Sequence, residues 1–258
     1  MKKSKIYFAS DFHLGIPNYE SSLLREKKFV RWLDMVSADA DEIFLMGDLF
    51  DFWFEYKNVI PKGYVRLLGK MAEITDKGIP VHVFRGNHDI WAFDYLSKEL
   101  NIVLHRKPMI REFDGKIFFL AHGDGLGPGD NGYKFLKKVF EFKPNQFMFK
   151  WLHPDIGCRL GLYFSKQSRL ANQAKFAKEK KENSGVALKD EMLLNYAERK
   201  AAMNPEIDYF IFGHRHLPIH EKVGHKSEMI ILGDWINYFT YGELEDGKMS
   251  LKYFESKD

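Results

Sequence analysis

The chain has 258 residues and 45% of them are apolar, which is enough to bury a substantial core in one domain with room for an insertion. The formal net charge of +3 is small for this length, so no global basic field indicates a nucleic-acid-binding protein. The single cysteine, Cys158, excludes an internal disulfide framework and a cysteine-based zinc cluster.

Two further features of the sequence indicate where in the cell the protein is located. No apolar run approaches the roughly 20 residues of a membrane-spanning helix. The apolar run that Asp11 ends is too brief for a signal-peptide core, so we expect a cytoplasmic protein.

Six short runs rich in β-branched and aromatic residues predict buried strands. In chain order, they are residues 6–9, 42–46, 81–84, 117–121, 209–212 and 229–232. Helical patterns separate several of them, notably at 21–37 and 64–76, so the order predicts an α/β sandwich flanked by helices. The last residues, 242–258, predict a hairpin with Asp246 and Gly247 at its turn.

A long and mostly helical stretch interrupts this alternation between two strands that would otherwise be close neighbours. We expect residues 127–204 to form a helical cap, inserted in a core made of residues 1–126 and 205–258.

Polar side chains of the kinds that bind metals follow five of the predicted strands. The carboxyl ends of strands in an open α/β sheet are where binding residues converge. The pairs Asp11/His13 and His214/His216 have alternate spacing, which points both side chains of an extended pair in the same direction. In order, the five segments are Asp11 to His13, Gly47 to Asp51, Gly86 to Asp89, His122 to Asp124 and Gly213 to His216.

Imidazole, carboxylate and amide groups in one cluster suit manganese, iron or zinc better than calcium, which prefers oxygen ligands alone. Seven such ligands are too many for one tetrahedral site. They are enough for two sites that share a carboxylate and leave positions for water and substrate. The sequence therefore predicts a pair of divalent cations.

Other residues have simpler interpretations. Asp51 and Asp89 are predicted to orient the ligands through hydrogen bonds, whereas Asp124 and Asp234 could equally form turns. The aromatic residues at 50 and 52–54 are interpreted first as core and second as a wall of the substrate site. Histidines outside the five segments are interpreted as core or surface residues: His82, His105, His153, His220 and His225.

The five segments, in this order and at these separations, resemble those of the calcineurin-like metallophosphoesterase superfamily. The resemblance covers nearly all of the chain outside the insertion and implies a pair of β-sheets flanked by helices. It implies that one metal is held by Asp11, His13, Asp48 and His216. It implies that the other is held by Asp48, Asn87, His122 and His214, with Asp48 as the bridge.

The inserted segment is similar to that of the UDP-2,3-diacylglucosamine pyrophosphatases. The similarity lies in Asp130 and Tyr133 and in the Ser-x-x-x-Asn-x-x-Lys spacing of Ser168, Asn172 and Lys175. It implies hydrolysis of a UDP-linked diacylglucosamine to UMP and a lipid monosaccharide phosphate for lipid A synthesis. One departure is His88, which stands where that family commonly has arginine.

The resemblance also implies roles in catalysis. A water polarised by two cations would attack phosphorus, while Asn87 and His88 offset charge on the phosphoryl oxygens and, with His214, contact the substrate. His88, kept oriented by Asp89, could also protonate the leaving oxygen.

Charge and aromatic residues are both concentrated in the cap. Residues 127–183 contain 12 Lys or Arg against 5 Asp or Glu, and nine aromatic residues lie between Tyr133 and Phe164. Interleaved apolar and cationic groups suit an anionic lipid and an acidic membrane surface, so we expect peripheral attachment to the cytoplasmic face of the inner membrane. Alternatively, these aromatics form the cap's own core and the lysines its solvated face.

Three alternative functions compare with this one as follows. The first is a metallophosphoesterase that acts on a soluble nucleotide, phosphodiester or phosphomonoester, because a metal site alone does not select a substrate. The second, a nuclease, is disfavoured because the basic residues are confined to the cap. The third, a non-catalytic scaffold, is disfavoured because no ligand position is missing. The sequence does not predict the oligomeric state.

Overall fold

The computed structural model describes residues 5–127, 131–182 and 191–255, and side chains in all of these ranges except 171–182. The strands are β1 (Lys5–Ala9), β2 (Glu42–Leu45), β3 (Val81–Phe84), β4 (Val103–His105), β5 (Met109–Phe113), β6 (Lys116–Leu120), β7 (Tyr209–Phe212), β8 (Pro218–Val223), β9 (Ser227–Leu232), β10 (Thr240–Glu245) and β11 (Lys248–Tyr253). The helices are α1 (Tyr19–Val36), α2 (Val65–Asp76), α3 (Tyr95–Leu100), α4 (Asn131–Glu141), α5 (Lys143–Lys150), α6 (Pro154–Glu182) and α7 (Met192–Met203).

The strands form two sheets. The first has the order β11-β10-β1-β2-β3-β4, in which β1 to β4 are parallel and β10 runs antiparallel to both of its neighbours. The second has the order β5-β6-β7-β9-β8, with a parallel centre of β6, β7 and β9 and antiparallel edges. Parallel strands place their carboxyl ends at one edge, so each sheet brings several loops to the same place.

The sheets pack face to face through an apolar layer that both contribute. Phe8 of the first sheet stacks on Phe44 at 5.2 Å between ring centroids and on Phe118 of the second sheet at 6.2 Å. Alternation along a strand sends neighbouring residues to opposite faces. Tyr7 and Ala9 therefore join a different apolar cluster, which packs against α1 and α2.

Helix α7 covers the outer face of the second sheet. Its Leu193, Leu194 and Ala197 are buried in one cluster with Phe210 and Ile231 of that sheet. This helix lies inside the segment 127–204 that the sequence predicts as cap. The division into core and cap stays a prediction, and we propose that the cap ends before α7.

Helices α4 and α5 bury no residue, whereas α6 turns Gly157 and Ser165 inward. In the described part of the chain, we find no helix with both the length and the apolar character of a membrane span.

The predicted α/β sandwich agrees with the structure, and each of the six predicted strands coincides with an observed one to within two residues at either end. The predicted hairpin is β10-β11, and it turns at Asp246 and Gly247. The sequence did not predict β4, β5, β8 or α3.

Candidate metal centre

Loops from both sheets meet at the carboxyl ends of the parallel strands. Backbone hydrogen bonds join the β1 loop to the β2 loop (Asp11 N to Gly47 O, 3.1 Å) and the β7 loop to the β6 loop (Gly213 N to His122 O, 2.8 Å). The two sheets are joined at this point because the amide of Trp235, after β9, donates to Asp11 O at 3.0 Å. Four of the five polar segments are thereby held side by side, and the fifth joins them through the amide of His88, which donates to Asp48 Oδ1 at 2.9 Å.

The backbone of these loops is unusual. Five predicted ligands adopt positive φ angles, which residues other than glycine rarely adopt: Asp11, His13, Asp48, His214 and His216. Such conformations persist only where the surroundings enforce them, and they cluster at functional sites. The backbone at Gly86 also lies very close to Asp48. A Cβ at position 86 would be 2.1 Å from Asp48 Oδ1, so this position requires glycine.

One group of potential ligands consists of Asp11, His13 and His216, whose donor atoms all lie within 4.8 Å of one another. Asp11 Oδ1 lies 3.7 Å from His13 Nε2 and 3.5 Å from His216 Nε2. The other oxygen of Asp11 accepts a hydrogen bond from the His214 amide at 2.8 Å. One oxygen is therefore fixed by the backbone and the other faces the two imidazoles.

A second group consists of Asp48, His122 and His214. The Asn87 side-chain oxygen lies 2.9 Å from His214 Nδ1 and 3.4 Å from His122 Nε2. The other ring nitrogen of His122, Nδ1, is 2.8 Å from the carbonyl oxygen of Met46. This contact orients the ring so that Nε2 faces the second group.

Asp48 lies between the two groups. Its Oδ2 is 3.6 Å from His13 Nε2 and 3.4 Å from His122 Nε2, while its Oδ1 accepts from the amide of His88 at 2.9 Å. Asp48 is fully enclosed, with 1% of its surface exposed. This arrangement can hold two cations that share one carboxylate.

The polar atoms in this cluster fit divalent cations. Asp11 Oδ1 and both ring nitrogens of His13 are buried without a hydrogen-bond partner in the described residues, and buried polar atoms are seldom left in that state. Burial would lower the pKa of His122, but the Asp48 carboxylate raises it to about 10. The site therefore stabilises positive charge. The mixture of imidazole, carboxylate and amide donors suits first-row transition metals.

His214 differs from His122 in its protonation. Burial, followed by the charge of His122, lowers the pKa of His214 to about 4, so this ring stays neutral at physiological pH. A neutral imidazole is the form that binds a metal.

Helix α6 reaches the centre through Ser165 and Arg169, which the sequence analysis did not single out. Ser165 Oγ donates to Asp51 Oδ2 at 2.6 Å and lies 2.9 Å from His88 Nδ1, and the Arg169 guanidinium pairs with Asp51 Oδ1. Asp51 Oδ1 is also 3.4 Å from His13 Nδ1. One buried carboxylate thus connects a predicted ligand, His88 and the cap.

The structure corrects the predicted partner of Asp89. Its carboxylate accepts from the Gly86 amide at 2.6 Å and the Leu49 amide at 2.8 Å, and it makes no hydrogen bond to His88. Burial and then the charge of Asp48 raise the pKa of Asp89 to about 7. Asp89 holds the loop in shape, whereas Asp51 and Ser165 orient His88.

Two further carboxylates, to which the sequence assigned no single role, have hydrogen-bond partners near the centre. Asp234 Oδ2 lies 3.2 Å from His216 Nδ1, and its Oδ1 also accepts from three amides of the following turn. Asp124 accepts from the Tyr133 hydroxyl and from Lys137, each at 2.6 Å. Tyr133 therefore lies beside the loop that carries His122.

None of the remaining residues predicted to contact the substrate is seen at the metal centre among the described side chains. Ser168 is exposed on α6, one turn from Ser165. Asp130 and the side chains of Asn172 and Lys175 fall outside the residues described. The roles of all these residues stay predictions.

Comparisons with known proteins identify relatives of this chain. A family model described as calcineurin-like phosphoesterase matches residues 4–218. A protein of Porphyromonas gingivalis named UDP-2,3-diacylglucosamine hydrolase is 35% identical over 261 residues, covering 99% of this chain and 100% of its own length. One of the same name from Aliivibrio fischeri is 27% identical over 256 residues, covering 98% and 99%.

Among solved structures, the phosphoesterase Yfce of E. coli matches with a TM-score of 0.47 and 17% identity, covering 97% of this chain and 93% of its own. The family match spans most of the chain, and the Porphyromonas relative aligns along all of it. The chain therefore belongs to the calcineurin-like phosphoesterase family.

Proposed function

We propose that this protein is a metal-dependent hydrolase that cleaves the pyrophosphate bond of UDP-2,3-diacylglucosamine, releasing UMP and 2,3-diacylglucosamine 1-phosphate. The observation that carries the chemistry is the position of Asp48 Oδ2, 3.6 Å from His13 Nε2 and 3.4 Å from His122 Nε2. The substrate is supported by the name of the Porphyromonas relative, which aligns with this chain from end to end.

Two divalent cations would occupy the centre, and we propose manganese, with iron and zinc as alternatives. The ligands would be Asp11, His13, Asp48 and His216 for one cation and Asp48, Asn87, His122 and His214 for the other. Bound cations of this kind lower the pKa of water to roughly 7 and neutralise charge on phosphoryl oxygens.

Two residues are suited to hold the phosphoryl group. The oxygen of Asn87 faces His214 and His122, so its amide nitrogen is available to donate to a phosphoryl oxygen. His88 Nδ1 lies 2.9 Å from the Asp51 carbonyl oxygen, which can only accept, so the proton of the neutral ring belongs on Nδ1. A bound pyrophosphate favours the imidazolium form, which also donates from Nε2. We propose that Asp89 contributes by holding the loop that carries both residues.

The cap is suited to the lipid half of this substrate. Its exposed large apolar residues include Phe147, Met148 and Trp151, which are 62%, 68% and 78% exposed, and lysines flank them at 143 and 150. Contiguous exposed apolar surface marks an interaction site, and adjacent cations favour an anionic partner. We therefore propose that the cap receives the acyl chains and attaches to an anionic membrane surface. Further substrate contacts are proposed for Asp130, Tyr133, Ser168, Asn172, Lys175 and His214.

The function is tested by incubating purified, manganese-loaded protein with UDP-2,3-diacylglucosamine and, in parallel, with bis(p-nitrophenyl) phosphate. We expect UMP to be released, with a much higher kcat/KM for the lipid nucleotide. The Asp48→Asn variant should release none while remaining folded. A preference for the generic diester would instead favour an esterase for soluble substrates.

The membrane proposal is tested with the double variant Phe147→Ser/Trp151→Ser and vesicles that contain anionic phospholipid. Cosedimentation should fall relative to the wild type. Met203→Ser is a matched control because Met203 is 79% exposed on α7, outside the proposed cap. Equal binding by all three proteins would remove the cap as the attachment surface.

A further inference from the structure

A cleft of about 370 Å³ opens beside the metal centre, on the side of His122. It lies between the carboxyl ends of β3, β4 and β6 on one side and helix α4 on the other. His122, a predicted ligand, forms part of its wall together with Gly123 and Asp124. A molecule in this cleft would therefore lie beside the metal centre.

The lining is strongly cationic. Six Lys or Arg side chains face the cleft, against two carboxylates, Asp124 and Glu141: Arg85, Arg106, Lys107, Lys134, Lys137 and Lys138. The carboxylates are already engaged, Asp124 by Lys137 at 2.6 Å and Glu141 by Arg85 at 3.8 Å. The cleft thus has an excess of positive charge with a surplus of N–H donors.

Several of these donors have no partner within the described residues. Arg85 Nε is buried and makes no hydrogen bond. Neither Lys107 nor Lys138 forms an ion pair or a hydrogen bond to any side chain that the structure describes. A buried donor without a partner and two unpaired lysines at an open cleft favour a ligand rich in acceptors.

Apolar residues and an imidazole also line the cleft. Phe84, Pro108 and Leu126 contribute to the lining, and the His105 ring stacks on Phe84 with 4.7 Å between centroids. Burial, and then the charge of His82, lowers the pKa of His105 to about 4, so this ring is neutral. A neutral stacked ring next to cationic donors is typical of surfaces that bind a planar base joined to a phosphate.

The two ends of the metal centre have different surroundings. At the end with Asp51 and His88, the neighbour is helix α6, and Phe52 there lies 6.4 Å from Phe149 of α5. At the end with His122, the neighbour is the cationic cleft. The proposed substrate has the same asymmetry, with an apolar diacylglucosamine on one side of the pyrophosphate and a uridine on the other.

We infer that the cationic cleft binds the nucleoside monophosphate half of the substrate, with the ribose and uracil against α4 and the ends of β3 and β4. Uracil offers two carbonyl acceptors and ribose offers hydroxyls, which match the Lys and Arg donors. This inference rests on the proposed function for the identity of the nucleotide. It adds a specificity determinant that the metal ligands and the cap do not supply.

The test compares the wild type with Lys107→Ala/Lys138→Ala, two exposed residues outside the metal centre and outside the apolar face of the cap. Binding of UMP to the manganese-loaded proteins is measured by calorimetry. We expect UMP to bind about tenfold or more weakly to the double variant, while inorganic phosphate binds equally to both. Lys222→Ala, on β8, removes one exposed lysine far from the cleft and should bind UMP like the wild type.

Turnover provides a second readout. The KM for UDP-2,3-diacylglucosamine should rise about tenfold in the double variant. The kcat/KM for bis(p-nitrophenyl) phosphate, which lacks a uridine, should not change. Equal affinity of wild type and double variant for UMP would overturn the inference. So would a loss of affinity for glucosamine 1-phosphate in place of UMP, because the sugar phosphate would then occupy the cleft.

The two proposals fail in different ways. If the wild type does not hydrolyse the lipid nucleotide, the proposed function is wrong, and UMP calorimetry still reports whether the cleft binds a nucleotide. If the wild type hydrolyses the lipid nucleotide and the double variant keeps the UMP affinity, only the cleft assignment is wrong.

Discussion

At the scale of single residues, the metal centre depends on the absence of a side chain at position 86. A Cβ there would lie 2.1 Å from Asp48 Oδ1 and 2.6 Å from Asp48 N, and neither atom can move freely because Asp48 is buried. We predict that Gly86→Ala displaces the shared carboxylate and lowers kcat/KM by about 100-fold or more, as misplacements of about 1 Å can do. Metal content and initial rates measure the effect.

Gly69→Ala is the matched control for that substitution. Gly69 lies within α2, and a Cβ there would have no heavy atom within 4 Å. Alanine is favoured over glycine in a helix by roughly 0.5–1 kcal/mol, so this variant should be as active as the wild type and slightly more stable. Equal activity of the two variants would show that the Asp48 carboxylate tolerates displacement.

The sequence was informative about which candidate ligands come together, because each of them follows a buried strand with a turn. It was less informative about how they are oriented. Asp89 is adjacent to His88 in the chain, yet its carboxylate turns back to the Gly86 amide. Asp51, which was grouped with Asp89, contacts His13 and accepts from Ser165. Adjacency in sequence does not reveal which way a side chain leaves a turn.

At the scale of elements, α6 is fastened to the centre through Arg169 and Ser165. Both act on the Asp51 carboxylate, which is 0% exposed, and Ser165 also lies against His88. We predict that Arg169→Ala lowers activity by about 10- to 100-fold, because it leaves a buried carboxylate with fewer partners and loosens the orientation of His13 and His88. Steady-state kinetics with the generic diester measure this without a contribution from lipid.

Two comparisons separate a positioning role for Arg169 from a general loss of structure. Arg169→Lys should recover part of the activity because it restores the charge beside Asp51. Gln167→Ala, on the exposed face of the same helix, should leave the rate unchanged. The positioning role is wrong if Arg169→Ala retains full kcat, or if Gln167→Ala loses as much activity.

The elements that the sequence missed share a physical reason. β4 has three residues and lies at a sheet edge, and β8 also lies at a sheet edge, where three of its six residues are exposed. Neither carries the buried apolar run that identified β1, β2 or β7. On α6, the resemblance indicated Ser168, whereas Ser165 is the serine that faces the centre. Helical sequence alone did not reveal which face of a cap helix turns inward.

At the scale of the whole molecule, the metal centre joins the two sheets. Asp11 and Asp48 follow strands of the first sheet, and His122 and His214 follow strands of the second. Cations held by these residues would therefore cross-link the sandwich at the edge where its loops meet. Ligands that bind the folded state alone stabilise it by about 2.7 kcal/mol per site at 100 times the dissociation constant.

We predict that manganese raises the Tm by several degrees and that a chelator reverses the rise. Asp48→Asn should reduce the shift, because it removes the carboxylate that is proposed to bind both cations. Magnesium and calcium should shift the Tm less, since imidazole ligands favour transition metals. A shift of the same size in Asp48→Asn would mean that the stabilising ions bind elsewhere.

Anomalous diffraction from crystals grown with manganese gives a direct test of the proposal that two cations share Asp48. We expect two peaks about 3.5–4 Å apart, one beside Asp11, His13 and His216 and the other beside Asn87, His122 and His214, with Asp48 in contact with both. A single peak, or peaks that do not contact Asp48, would contradict it.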